Sequence, residues 1–252
     1  EALAVSSLQL NRMKADRCLT LAMMSMSCIT AAMVGIYTKM MPGEFIITAI
    51  PLNVINALIV TNILHPVKIS EEEDTVARVN DGGQEREPFF SFLGNSILGA
   101  GRLILIICAN VIAFVALAKL IDMLLIIVHP ALTLENILGC IMFPFAWLMG
   151  LDTGEAFQLG QYMGTKLVTN EFVVMLNVQD VLGEFSRHMQ GVLTVFVTSF
   201  ANFSTLGMII GCFKGLVDDS KNELISRNVG YMLLSGILVS LLSAGIAGMF
   251  IW

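Results

Sequence analysis

At 252 residues, with 56% hydrophobic side chains, 13% charged ones and a mean hydropathy of +0.80, the chain is too apolar for an ordinary soluble domain of its length. Its formal charge of −6 comes largely from one acidic segment, and no basic stripe with interleaved aromatics is present, which argues against nucleic acid as a partner. Cys18, Cys28, Cys108, Cys140 and Cys212 all sit inside apolar runs at no metal-like spacing, so they read as small packing residues rather than a disulfide or redox framework.

The chain opens on Glu1 with no basic n-region or cleavage site, and further residues are expected before it. Residues 18–38 and 45–67 are uncharged runs that each reach the ~20 residues needed to span hydrocarbon, so 17–69 reads as two transmembrane helices. Residues 70–88 hold Glu71-Glu72-Glu73-Asp74, Asp81-Gly82-Gly83 and Glu85-Arg86-Glu87, a solvated acidic connector without chemistry of its own. Phe89-Phe90-Ser91-Phe92-Leu93 suits the membrane interface, and residues 103–118 extend through Val128 to a full span if Lys119 and Asp122 pair one turn apart. Residues 89–128 therefore read as an interfacial helix followed by a long transmembrane helix.

Residues 136–151 are too short for a span and contain Pro144. They are followed by Asp152-Thr153-Gly154-Glu155 and a second apolar run, 156–168, a pattern that suggests a re-entrant hairpin within 129–175. Residues 189–213 carry no charge over 25 positions, yet Ser199-Phe200-Ala201-Asn202-Phe203-Ser204-Thr205 places polar groups at their centre. Hydrocarbon cannot satisfy those groups, so 186–217 is expected to be a broken transmembrane helix facing protein, water or solute. Residues 228–252 form the last span. The basic residues fall on several connections and leave orientation open. The fold expected is an all-α integral membrane protein, a multi-span bundle with re-entrant hairpins and discontinuous helices.

Glu171, in Thr165-Lys166-Leu167-Val168-Thr169-Asn170-Glu171-Phe172, is the most informative ionisable residue, because a carboxylate at membrane depth is costly unless it serves a cavity. Lys166 either neutralises it or anchors a helix end. A carboxylate accepts two hydrogen bonds at the spacing of a sugar diol, and Asn202 supplies both a donor and an acceptor, which favours a polyhydroxylated solute over an anion. Phe200 and Phe203 flank that amide and could face a ring. Gly207, Gly211 and Gly215, like Gly160 and Gly164, repeat at four-residue spacing and read as helix-packing faces. His65, His129 and His188 have no metal-binding spacing, and no catalytic triad or phosphate loop can be assembled, so an enzyme is not expected.

Gly164-Thr165-Lys166-Leu167-Val168-Thr169-Asn170-Glu171-Phe172-Val173 and Ser199-Phe200-Ala201-Asn202-Phe203-Ser204-Thr205-Leu206-Gly207 closely resemble motifs of the concentrative nucleoside transporter family, in its C-terminal part. The resemblance implies a plasma-membrane homotrimer, of the bacterial inner-membrane type, that imports uridine-like nucleosides by alternating access on an H+ or Na+ gradient and needs no cofactor. Its protomers would hold a scaffold domain and a mobile domain with two re-entrant hairpins and two broken helices. Carried over by motif, Glu171 and Asn202 would bind the ribose hydroxyls, Thr205 would stand for a ribose-contacting Ser, Phe200 would lie against the nucleoside and Ala32 would approach the base. Ser7, Ser27 and the Cys28 carbonyl would occupy the family's sodium site, with Ser7 replacing an Asn. That replacement removes a strong oxygen ligand and favours proton coupling. Residues 1–16 resemble a partial arm of the first hairpin and the start of the next helix. The hairpin tip is missing between Leu10 and Asn11, and residues are also expected between Val128 and His129. The alternatives are a carrier of another polyhydroxylated solute or a non-transporting membrane subunit whose polar breaks serve helix association.

Overall fold

The computed structural model is described over residues 10, 13–68, 88–214 and 217–252, and the elements there are helical. They are α1 (Ala15–Ser25), α2 (Ala31–Tyr37), α3 (Gly43–Leu64), α4 (Phe89–Val128), α5 (Leu134–Leu148), α6 (Thr153–Val168), α7 (Glu171–Val178), α8 (Arg187–Val197), α9 (Phe203–Lys214), α10 (Asp219–Arg227) and α11 (Val229–Gly248), with a short 3₁₀ turn at Leu182–Glu184. Ser7 and the rest of 1–9, the Asn11 side of the Leu10 joint, the acidic segment 70–87 and Gly215 lie outside the described residues.

Among the described residues α3 and α11, of 22 and 20 residues, are long and apolar enough to cross a membrane unbroken. They pack antiparallel, because Asn56 donates to Ser243 Oγ (2.9 Å) while Thr61, further along α3, has its hydroxyl 3.4 Å from that of Ser235, further back along α11. Such bridges hold helices together where lipid offers no hydrophobic gain on association. Around this pair several helices are interrupted.

The run at 18–38 is not one continuous helix. It stops after Ser25 and restarts at Ala31, with Thr30 extended at φ −82°, ψ 152°. Ser25, Ser27, Ile29 and Thr30 are weak helix formers, Ile29 through its β-branch and the others through short polar side chains that compete for the backbone; the Ser25 hydroxyl donates to Leu21 O (2.8 Å). In the other direction, residues 89–128 form one 40-residue helix rather than an interfacial helix plus a span. No proline interrupts it, and it runs about 60 Å. Lys119 and Asp122 form no ion pair; Asp122 Oδ1 accepts the Leu134 N–H (2.7 Å) and so caps α5 together with Thr133, whose hydroxyl accepts from Asn136 N–H (3.2 Å).

Residues 129–175 are also divided differently from the expected hairpin. α5 and α6 do pack closely: a Cβ on Gly160 would fall 2.7 Å from Gly139 O, and one on Gly164 would fall 2.6 Å from Leu138 Cβ. The turn between them, however, lies at the end of α11. Gly150, at φ +96°, would press a Cβ to 3.3 Å from both the His188 and Trp252 rings, and His188 bonds the carbonyls of Met149 (Nε2, 2.8 Å) and Ile251 (Nδ1). Asp152 there is the N-cap of α6, accepting from Glu155 N–H (2.8 Å). Lys166, near the other end of α6, reaches Ser240 halfway along α11. Thr153 to Lys166 covers about 20 Å of helical rise and Ser240 stands about midway along α11, so α6 runs from one end of α11 to its middle. The chain then returns alongside itself, with Phe185 6.1 Å from Tyr162, ring to ring. α6 and α7 thus turn back on each other beside the middle of α11, with Thr169-Asn170 at their tip.

Gly211 shows none of the close approach expected of a packing face, since a Cβ there would meet nothing within 4 Å. The core lies between the hairpin, α8 and the end of α11, where Leu159, Met163, Val174, Met175, Leu193 and Phe196 are fully buried.

Candidate functional site

Three interrupted elements meet at one carboxylate. Asn170 is extended (φ −168°, ψ 173°) and its Oδ1 accepts the Val173 N–H (3.0 Å), which starts α7 at Glu171. Across from it α8 ends at Val197, and α9 begins only at Phe203. Asn202 closes that gap: its Oδ1 accepts from Thr205 N–H (2.8 Å), Thr205 Oγ1 (2.9 Å) and Ser204 Oγ (2.8 Å). An amide whose oxygen is engaged three times has its nitrogen oriented by default, and Nδ2 donates to Glu171 Oε2 (3.0 Å). Tyr37, the last residue of α2, donates to Glu171 Oε1 (2.8 Å), while its ring packs edge-on to Phe172 at 5.3 Å.

Glu171 is 5% exposed and Asn202 fully buried. A carboxylate has about four acceptor positions, so one internal donor on each oxygen leaves capacity for two more hydroxyls. Beside this network lies a cavity of ≈ 360 Å³, within the size range of small-molecule sites, lined among others by Phe200, Thr205, Met208, Cys28 and Ala31. Thr205 joins the two: its hydroxyl belongs to the Asn202 cluster and its side chain lines the cavity. Glu171 and Asn202 do not line the cavity in this arrangement.

Of the residues singled out in the sequence, Glu171, Asn202 and Thr205 form one hydrogen-bonded unit and Phe200 adjoins it. Ala32 is exposed and stands outside the cavity wall, where its neighbour Ala31 is found. One position along a helix rotates a side chain by about 100°, enough to exchange the two. Ser27 is buried in the α1–α2 break and its hydroxyl has no hydrogen-bond partner among the described residues; Cys28 lines the cavity. Ser7 lies outside the described residues. No group of three or more His, Cys, Asp or Glu side chains that could hold a metal is gathered among the described residues.

Tyr37 was not anticipated, and Lys166 does not make the pair with Glu171 that was one of its two expected parts. Tyr37 could have been noticed as the lone aromatic hydroxyl at the end of an apolar run, since a buried phenol needs a partner. Lys166 is fully buried but forms no ion pair with Glu171; its ammonium donates to Phe196 O (2.7 Å), Ser199 Oγ (2.6 Å) and Ser240 Oγ (3.4 Å).

Residues 45–248 match the sequence profile described as the C-terminus of the Na+ dependent nucleoside transporters. The chain is 44% identical over 252 residues to the purine nucleoside transport protein NupG of Bacillus subtilis, covering all of this chain and 63% of that protein. It is 27% identical over 238 residues to the nucleoside permease NupC of Helicobacter pylori, covering 90% of this chain and 56% of that protein. The chain thus spans somewhat under two thirds of the length of these relatives. Its fold is that of CNTnw in an inward-facing substrate-bound state, with a TM-score of 0.80 at 22% identity over 98% of this chain and 60% of that one. An all-α membrane architecture, a carboxylate and an amide joined across two helix breaks, and a profile match over most of its length together establish that this chain belongs to the concentrative nucleoside transporter family, in its C-terminal part.

Proposed function

We propose that the chain carries the solute site of a secondary active transporter that imports nucleosides on a cation gradient, H+ or Na+, in a bacterial inner membrane. The observation that carries this reading is the buried Glu171–Asn202 pair, bonded across the hairpin tip and a broken helix beside a cavity of nucleoside size. Glu171 and Asn202 take the ribose hydroxyls, Thr205 adds a hydroxyl from the cavity wall, and Phe200 offers an apolar face to the base. Ala31 and Cys28 shape the base side, with Ala32 one residue beyond. The similarity to NupG, a purine nucleoside transport protein, supports purine nucleosides among the substrates.

Proteoliposomes holding the full-length protein and energised with opposed Na+ and H+ gradients test the reading. Labelled inosine and uridine should accumulate above equilibrium, and excess unlabelled nucleoside should compete while glucose should not. Accumulation of neither nucleoside, or equal competition by glucose, would remove it.

We further infer a homotrimer. Support comes from α4, whose Phe90, Leu98, Leu105, Ile112, Ile127 and Val128 side chains are 66–83% exposed along a helix longer than a bilayer is thick. Mass photometry of the detergent-solubilised full-length protein should give three protomer masses; a monomer at all detergent concentrations would contradict it.

A further inference from the structure

Lys166 is buried completely and does not line the cavity. Its surroundings are specific. In a continuous helix Phe196 O would accept the N–H of residue 200, but α8 stops at Val197 and leaves that carbonyl without a helical donor. The Lys166 ammonium supplies one at 2.7 Å and lies 4.5 Å from the centre of the Phe196 ring. The next exposed carbonyl of the break, Thr198 O, is taken in the same way by Asn53 Nδ2 from α3 (2.5 Å). Side chains from two other helices thus complete the end of α8.

The hydroxyls around Lys166 are ordered by it. Ser240 Oγ donates to Gly236 O (2.8 Å), so it can only accept from Ser199, 2.7 Å away. Ser199, having spent its hydrogen on Ser240, accepts from Lys166 (2.6 Å). The donors therefore run in one direction, from Lys166 through Ser199 and Ser240 to Gly236, and the ammonium is their source.

The hairpin and the break are consequently joined twice. Lys166 holds Phe196 and Ser199, and Glu171, five residues further along the hairpin, holds Asn202, three residues past Ser199. We propose that Lys166 is a positioning residue for the nucleoside site: by replacing the missing helical donor at the end of α8, it sets the register between hairpin tip and helix break that brings the Glu171 carboxylate and the Asn202 amide together on the ribose diol. Lys166 touches neither cavity nor solute and acts through Asn202.

This rests on the ribose reading of Glu171 and Asn202, and the experiment separates the two. Binding of inosine and of 2′,3′-dideoxyinosine is measured by calorimetry on the full-length protein, wild type and Lys166→Met, which keeps the length of the side chain without its donors. Wild type should prefer inosine; equal affinities there would defeat the ribose reading itself. Given that preference, K166M should shrink the ratio of the two affinities by at least about tenfold, equivalent to ~1.4 kcal/mol. A lowered melting temperature with an unchanged ratio would overturn the proposal and leave Lys166 a stabilising residue only. Ser199→Ala, a small change that breaks the chain between ammonium and Ser240, provides the second variant where K166M does not fold. It should reduce the ratio in the same direction, and an unchanged ratio in S199A overturns the proposal equally.

Discussion

Glu171→Gln is expected to weaken binding of a ribonucleoside by roughly 1.5–3 kcal/mol, because a charged hydrogen bond at a desolvated site becomes a neutral one. The geometry makes this substitution a clean probe. Asn202 is turned by three donors on its oxygen, so its nitrogen points at position 171 whatever residue stands there. A Gln carboxamide can meet it with its own oxygen. The Gln nitrogen then faces Tyr37, whose hydroxyl can exchange its role from donor to acceptor. Both internal bonds survive and the hairpin tip keeps its shape, while the negative charge and one acceptor position offered to the diol are lost. Calorimetry with inosine and 2′,3′-dideoxyinosine reads the difference: the loss should be concentrated on inosine. Equal loss for both ligands would mean that Glu171 does not read the diol, and no loss at all would place the solute elsewhere. Substituting Ala would be less informative, since it would orphan the Tyr37 hydroxyl and the Asn202 amide together and mix folding with binding.

The residues of the site were legible in the sequence to the extent that they are polar where the surroundings are not. Glu171 and the Ser199–Thr205 cluster interrupt apolar runs, and a membrane leaves such groups few places to go. The break in residues 18–38 carried no comparable sign: Ser25 through Thr30 contain no charge, glycine or proline, so hydropathy passes over them although the helix stops there. The hairpin was displaced for a related reason. Asp152-Thr153-Gly154-Glu155 has the composition of a loop, and its second identity, a helix N-cap at the level of Trp252, depends on which end of α11 lies next to it. Thr169-Asn170 has no glycine or proline, and its turn is made by the Asn170 side chain taking the Val173 N–H. Lys166 and Glu171 are five apart, which in an unbroken helix puts them on different faces; the turn between them lets one serve the Ser199 chain and the other Asn202. Local spacing cannot report such a division, because it is decided by contacts with residues thirty and more positions away.

The coupling ion should reveal itself as a proton. Sodium needs several oxygens at close range, and the Ser27 hydroxyl, buried in the α1–α2 break without a hydrogen-bond partner among the described residues, offers one of them. Ser7, the second position implied by resemblance, carries a hydroxyl where an amide oxygen would bind more strongly. Glu171, in contrast, is a carboxylate held among interrupted helices at the middle of a membrane protein, the kind of group through which proton-driven carriers work. In sodium-free proteoliposomes, inosine uptake is therefore expected to rise several-fold when the outside is acidified, and to collapse when a protonophore removes the gradient. The profile matched by this chain is described as Na+ dependent, and the sodium arm of the same experiment tests that description directly. Replacement of Na+ by choline at constant pH should leave uptake in place. Transport abolished by that replacement and indifferent to an imposed pH gradient would overturn proton coupling, and Ser27→Ala would then be expected to abolish the response to Na+, since the buried Ser27 hydroxyl would be one of the oxygens around the ion.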